Sequence, residues 1–131
     1  MRSASPTLTE QELEIMKIVW SRGTATVRDV YETILERRKV AYTTVMTMMK
    51  ILEQKGHLKK ASDEKAHVYT PVKPKAQVIH NMVTDFVRRV FDGSAEPLVM
   101  HLVEERHLSE SEMKEIEKLL RGRKTRAASG S

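Results

Sequence analysis

The residues of this chain with the clearest chemical role are hydroxyls and cations at helical spacing between Ala41 and Gly56. Apolar residues of the segment recur at the spacing that gives a helix one buried stripe: Val45, Met48, Met49 and Leu52. The opposite face carries no carboxylate: Thr43, Thr44, Thr47, Lys50 and Gln54. Such a face suits base edges and phosphates, so the segment is predicted to be a DNA-recognition helix. An ordinary amphipathic helix with a solvated side is the alternative.

Basic residues concentrate around this candidate helix. Residues 37–74 contain nine Lys or Arg against three acids, whereas residues 75–120 contain six against nine. A basic segment that coincides with a candidate recognition helix is the charge pattern expected for phosphate contact. A solvated surface can also carry such a run of charge.

Two strand-like runs follow, at residues 58–61 and 66–70, with a polar turn at 62–65 between them. This pattern predicts a β-hairpin. The candidate DNA contacts on the helix and the hairpin are Tyr42, Thr43, Thr44, Thr47, Lys50, Lys59, Lys60, Lys65 and His67. For any one of these lysines, simple surface solubility is the alternative role.

Two earlier helices must position the recognition helix. The first is predicted to begin at Thr9, with Glu12 completing a capping box, and the second at Thr26. Thr43 or Thr44 is expected to cap the recognition helix. Three helices closed by a hairpin wing predict a mainly α, winged helix-turn-helix fold over residues 8–73, with residues 1–7 disordered and a boundary at the prolines of 71–74.

The segment 74–121 is predicted to be a helical dimerisation domain, followed by a basic, flexible tail at 122–131. Its first helix has an apolar stripe too wide for a helix with a single neighbour, which indicates a partner chain. The residues expected in the interface are Val78, Ile79, Met82, Val83, Phe86, Val90, Leu98, Leu102 and Leu119.

Catalytic and metal chemistry find little support. The chain has no cysteine, which excludes disulfides and thiolate sites, and no phosphate-binding or hydrolase motif. His101, Glu104, Glu105 and His107 could gather a metal, but such groups near helix ends are more often solvated. Neither an enzyme nor a cofactor or metal is therefore expected. With no apolar signal core and no membrane-length run, the expected location is the cytoplasm, without membrane insertion.

Taken together, four stretches resemble the penicillinase-repressor family of bacterial transcription regulators, which includes the BlaI, MecI and CopY types. They are LTEQELEIMKIVW, VAYTTVMTMMKILEQKGHL, AHVYTPV and FDGSAEPLVMHLVEERHLSESEMKEIEKLL. The resemblance covers residues 8–120. It implies a homodimer on palindromic operator DNA with TACA/TGTA-type half-sites. It also implies repression of genes for β-lactam resistance or related stress responses such as metal handling.

Three departures from the family pattern matter. The copper-responsive type ends in a cysteine-rich motif, which this chain lacks. In the BlaI and MecI types, a membrane metalloprotease receptor leads to cleavage at an Asn-Phe bond in the dimerisation region. The resemblance places that bond at His101–Leu102 here, so both residues differ. The staphylococcal type carries Arg where this chain has Met46 and Ile51, so half-site preference is expected to shift.

Two other functions fit the same pattern. One is a regulator that senses a small molecule or a metal. The other is an adaptor whose winged helix binds protein, for which weak, sequence-independent DNA affinity with little salt dependence is expected.

Overall fold

The computed structural model describes residues 7–61 and 67–130, with side chains through residue 122. Over these residues the elements are α1 (Glu10–Arg22), β1 (Ala25–Thr26), α2 (Val27–Leu35), α3 (Tyr42–Gln54), β2 (Leu58–Lys60), β3 (Val68–Pro71), α4 (Lys75–Val90), α5 (Glu96–Glu104) and α6 (Glu110–Gly130). The chain divides into two compact units, residues 1–82 and 83–131. Residues 1–6, which were expected to be disordered, lie outside the described part.

The first two helices begin as their sequences predict. Thr9 and Glu12 form a capping box in which the Thr9 hydroxyl accepts the Glu12 N–H at 3.1 Å and the carboxylate accepts the Thr9 N–H at 2.9 Å. Thr26 and Asp29 repeat this arrangement at the start of α2. Each box satisfies N–H groups that the helix itself leaves unpaired. Both predicted caps are confirmed.

The predicted cap of α3 is wrong. Neither Thr43 nor Thr44 is the cap: the N-cap is Ala41, which has no side-chain hydrogen bond to the helix. Its carbonyl accepts the N–H groups of Thr44 and Val45, so both threonines already lie within the first turn. The position at which α3 starts is better explained by the burial of Val45, which is 1% exposed, than by a hydroxyl that caps the helix.

Three antiparallel strands form a sheet in the order β1-β3-β2. In β2 and β3, Leu58 pairs with Pro71 and Lys60 with Tyr69, which confirms the predicted hairpin. The segment before α2 also joins the sheet, because Ala25 pairs with Tyr69. The mainly helical, winged-helix architecture is confirmed, with a third strand that the sequence did not reveal.

The core of the N-terminal unit lies between the three helices and the sheet. Its largest fully buried side chains are Ile15, Met16, Val19, Val30, Ile34, Val45, Met49, Leu52 and Leu58. Trp20 lies beside this core and donates its indole N–H to the Lys73 carbonyl at 3.0 Å. This bond ties the segment before α4 to α1.

One predicted dimer-interface residue belongs to this core instead. Val78 in α4 is only 4% exposed and packs with the winged-helix side chains, and Met82 packs partly against the same cluster. The prediction is wrong for Val78, because the first turns of α4 complete the N-terminal core. The N-terminal unit accordingly extends to residue 82 and not to the predicted boundary at 73.

The C-terminal unit contains the rest of α4 together with α5 and α6. None of its side chains through residue 122 is buried. A capping box between Ser109 and Glu112 opens α6. In the predicted flexible tail at 122–131, α6 continues to Gly130. The segment has no proline to stop a helix, and its Arg, Lys and Ala residues favour one. No described helix is long and apolar enough to span a membrane.

Candidate nucleic-acid interface

The buried stripe of α3 sets which side chains the helix presents to solvent. Val45, Met49 and Leu52 are at most 1% exposed, so the helix cannot rotate about its axis without leaving cavities in the core. The residues left exposed include those predicted to face DNA: Thr43, Thr44, Thr47, Lys50 and Gln54. Tyr42, Met46 and Ile51 of the same helix are exposed as well. The first turn of α3 contains no acidic residue.

An aromatic pair fixes the start of the recognition helix. The ring of Tyr42 meets that of Tyr31 edge to face, with 5.3 Å between centroids and 78° between planes. Tyr31 belongs to α2 and packs partly against the core, while Tyr42 remains 40% exposed. Tyr42 therefore presents a held aromatic surface to solvent, in a geometry that aromatic pairs prefer.

The hairpin places further basic residues near the helix. Lys59 and Lys60 are exposed on β2, and His67 is exposed immediately before β3. Lys65, the other predicted contact, lies outside the described residues.

A groove of about 460 Å³ separates α3 from the hairpin and from the start of α2. Its lining residues are Thr26, Val27, Arg28, Tyr42, Met46, Lys50, Lys60, His67 and Tyr69. Four of the predicted residues therefore meet in one place: Tyr42, Lys50, Lys60 and His67. The other described ones (Thr43, Thr44, Thr47 and Lys59) are exposed on the same elements but do not line the groove.

Sequence reasoning missed several lining residues, chiefly Arg28 and Met46. Arg28 reaches the groove because pairing of β1 with β3 brings the start of α2 beside the wing. A local sequence pattern cannot predict that β1 pairs with β3, because the two strands are far apart in sequence. The Arg28 guanidinium forms an exposed ion pair with Glu32 at 3.1 Å, which leaves it accessible to an anion. Met46 was noted only as a departure from a family pattern.

Tyr69 links the wing to α3. This residue is 2% exposed and lies in β3, the central strand. Burial raises the pKa of its hydroxyl, and the nearby Glu53 carboxylate, to which the hydroxyl donates a hydrogen bond, raises it further. The neutral, donating hydroxyl thus connects the wing to the last turn of the recognition helix.

The other end of α3 is tied to α1 by a buried ion pair. Lys55 Nζ lies 2.8 Å from the Glu12 carboxylate, which also completes the first capping box. Burial raises the pKa of Glu12, but the hydrogen bonds from Lys55 and Thr9 together outweigh it, so the pKa is lowered overall. The C-terminal end of the recognition helix is therefore anchored to the scaffold.

Arg37, Arg38 and Lys39 form a basic triplet before α3, and its arginines have a structural role. Arg38 lies 2.6 Å and Arg37 3.7 Å from the Glu14 carboxylate of α1. The hydrogen bond from Arg38 is the main reason that the pKa of Glu14 is lowered. The turn that leads into α3 is thereby held against α1, and two of its three cations already have an anionic partner.

The predicted C-terminal residues differ in exposure. Val83, Phe86, Val90 and Leu119 are exposed, at 51%, 41%, 53% and 70%, whereas Ile79, Leu98 and Leu102 are partly buried. His101 and Leu102 lie in the last turns of α5, so the bond between them is inside a helix. The rings of His101 and His107 are 6.1 Å apart, but the described residues contain no cluster of three potential metal ligands.

Comparison with known proteins places the chain among bacterial repressors. A family model described as Penicillinase repressor matches residues 8–122. The Transcriptional regulator BlaI of Mycobacterium tuberculosis is 35% identical over 99 residues, covering 74% of this chain and 72% of the relative. The Penicillinase repressor of Bacillus licheniformis is 26% identical over 121 residues, covering 92% and 94%. The solution structure of the DNA-binding domain of the repressor BlaI superposes with a TM-score of 0.50 at 25% identity, covering 57% of this chain and 92% of that one.

Proposed function

This chain belongs to the penicillinase repressor family, and we propose that it is a homodimeric transcriptional repressor that binds a palindromic operator through α3 and the wing. The observation that carries the proposal is the groove, which sets Lys50 of the recognition helix opposite Lys60 and His67 of the wing. Among the described residues, none that lines it carries a negative charge. Such a surface suits a polyanion.

The dimensions and the chemistry of α3 suit the major groove. An α-helix with its side chains is about 10–12 Å across, close to the width of about 12 Å of the major groove. Thr44 and Thr47 can offer a hydroxyl to a base edge and a methyl group to thymine. Lys50, one turn further on, reaches a base or a phosphate. In this role α3 determines which DNA sequence is bound. The proposed half-sites are of the TACA/TGTA type.

The groove beside α3 suits the sugar-phosphate strand that borders the major groove. Arg28, Lys50 and Lys60 enter it from three different elements, α2, α3 and β2. Cations on several sides of one strand fix the register of a protein on DNA without reading sequence. Lys59, and Lys65 beyond the described residues, would extend these contacts along the wing.

The proposed dimerisation is supported by the exposed apolar residues of the C-terminal unit. Its exposed apolar residues include Val83, Phe86, Val90 and Leu119. A second copy of the unit would bury them, and two-fold symmetry would place two α3 helices on half-sites one helical turn apart, or a multiple of it. Val78 is no part of this interface, because it lies in the winged-helix core.

For the relief of repression we propose cleavage in the C-terminal unit, at His101–Leu102, through a membrane metalloprotease receptor pathway. The bond lies inside α5, so a protease requires local opening of that helix. Genes for β-lactam resistance or a related stress response are the proposed targets, and the cytoplasm the proposed location. After exposure of cells to a β-lactam, mass spectrometry should detect a fragment that ends at His101. Derepression with the full-length chain intact would argue against proteolysis.

The DNA-binding proposal is tested by footprinting the protein on its own promoter and measuring affinity across a salt series. Replacing Lys59 and Lys60 together by Ala removes four phosphate contacts from the dimer, so the slope of log K against log salt should become shallower by about 3.6, at about 0.9 for each contact. Lys17→Ala, an exposed lysine of α1, is the matched control and should leave the slope unchanged. Weak binding without sequence preference or salt dependence would instead favour a protein-binding adaptor.

A further inference from the structure

Three methionines of α3 have three different environments. Met49 is 0% exposed in the core, and Met48 packs partly against it. Met46 is 37% exposed and is not part of the core. The fold therefore accounts for Met48 and Met49 but gives no reason for a large apolar side chain at position 46.

The surroundings of Met46 are those of the proposed DNA site. It lies one turn after Tyr42 and one turn before Lys50, and residues four apart lie along the same side of a helix. All three line the groove, with Lys60 and His67 of the wing opposite. Cations that hold a phosphate strand in this groove would bring the edges of the adjoining bases toward Met46.

The chemistry of a thioether limits what Met46 can recognise. It is apolar and polarizable and offers at most a weak acceptor, so it cannot pair with the amino and carbonyl groups of base edges. Covering such a group without a hydrogen bond is unfavourable. The 5-methyl of thymine is the apolar group that a base presents in the major groove. In the major groove, an apolar side chain therefore gains binding free energy only by packing on this methyl group.

We propose that Met46 is a specificity-determining residue that packs its side chain on the 5-methyl group of one thymine in each half-site. The inference rests on the proposed operator binding. It assigns the preference for that thymine to Met46, which is not one of the polar residues of α3 predicted to face DNA. Tyr42, held by Tyr31, supplies the neighbouring apolar wall.

The test uses the full-length dimer and its footprinted operator, with each thymine replaced in turn by deoxyuridine, which removes only the methyl group. One position per half-site should lose about three- to fivefold in affinity with the unmodified protein, as expected for one buried methyl group. For Met46→Ala, thymine and uracil at that position should bind equally. Thermal unfolding should be unchanged by this substitution, because the side chain is outside the core.

Two matched variants assign the effect to Met46. Thr47→Ser removes a methyl from the polar face of α3, and Ile51→Ala shortens another exposed apolar residue, 36% accessible, of the same helix. Both should keep the thymine-over-uracil preference at that position. The inference alone is overturned if Met46→Ala still prefers thymine over uracil at that position. This includes the case in which the substitution lowers the affinity for thymine DNA and for uracil DNA by the same factor, as packing of Met46 on a sugar would give. Failure of the unmodified protein to prefer any promoter sequence overturns the inference together with the proposed function.

Discussion

The two units of this chain bury their apolar residues to very different extents. In the N-terminal unit, Met16, Val19, Val30, Met49 and Leu52 are 0% exposed. In the C-terminal unit, through residue 122, the most covered side chains are only partly buried, and Leu119 is 70% exposed. The N-terminal unit is therefore stabilised by its own apolar core, whereas the C-terminal unit leaves much of its apolar surface exposed.

Charged contacts show the same difference. The N-terminal unit buries the Glu12–Lys55 pair, whose side chains are 6% and 22% exposed. The pair Arg121–Glu117 of the C-terminal unit is 82% and 63% exposed. Exposed pairs contribute little to stability. A partner chain that covers the exposed apolar residues of the C-terminal unit would stabilise it, and this is what the proposed dimer would supply.

The largest expected effect is in the C-terminal unit. Phe86→Asp would place a charge on the apolar surface proposed to face the partner, where Phe86 contacts Phe91 at 5.8 Å between ring centroids. Sedimentation should show the dimer of the unmodified protein replaced by a monomer. Operator affinity should fall by about 10²–10⁴-fold, because the second half-site no longer binds as part of one molecule.

Thr84→Asp is the control for this experiment, since it adds the same charge at an exposed position of α4 two residues earlier. It should leave the dimer intact. An unmodified protein that sediments as a monomer at micromolar concentration would remove the proposed role of the C-terminal unit.

The next effect concerns the core of the N-terminal unit. Met49→Ala should reduce the free energy of unfolding by about 2–5 kcal/mol, because it leaves a cavity among buried side chains. Met46→Ala, the same change in the same helix at a 37% exposed position, should change it by less than about 0.5 kcal/mol. Urea unfolding measures both. Equal losses would show that burial in the core does not decide stability here.

The smallest effect concerns the buried ion pair. Lys55→Met leaves the Glu12 carboxylate without its cation, and we expect a loss of about 2–3 kcal/mol at neutral pH, below the usual range for a buried pair because Lys55 is partly exposed. Glu117→Gln, which removes an exposed pair of the C-terminal unit, should cost less than about 0.5 kcal/mol.

The same pair predicts a dependence on pH. The pKa of Glu12 is lowered in the folded chain from its ordinary value of 4.5, so its contribution is complete above that pH. The contribution is lost as the pH falls through the lowered folded-state value. The difference in unfolding free energy between Lys55→Met and the unmodified protein should therefore shrink in acid. A difference that stays constant from pH 7 to pH 3 would show that the pair is not responsible.

Features of the fold set by residues close in sequence could be predicted. The capping box at Thr9 and the cap at Thr26 depend on side chains within three positions of each other, and the stripe of α3 depends on helical spacing. The exposed face of α3 followed from that stripe. For the same reason most of the candidate contacts on the helix were identifiable before the structure.

Features set by distant residues could not be predicted in this way. The pairing of Ala25 with Tyr69, the burial of Val78 and the bond from Tyr69 to Glu53 have no local signature. The entry of Arg28 into the groove depends on the first of these. The wide stripe of α4 was interpreted as one interface, although its first part packs on the winged helix and only its later part remains exposed.

The place of β3 in the sheet also sets an order of events during synthesis of the chain. Helices α1 to α3 are complete at residue 54, but β1 has no partner until Tyr69 has left the ribosome. The core then still lacks Val78. Since a domain generally folds as a unit, the groove beside α3 is assembled only after the first turns of α4 have been made. A nascent chain arrested within the wing would therefore lack this groove.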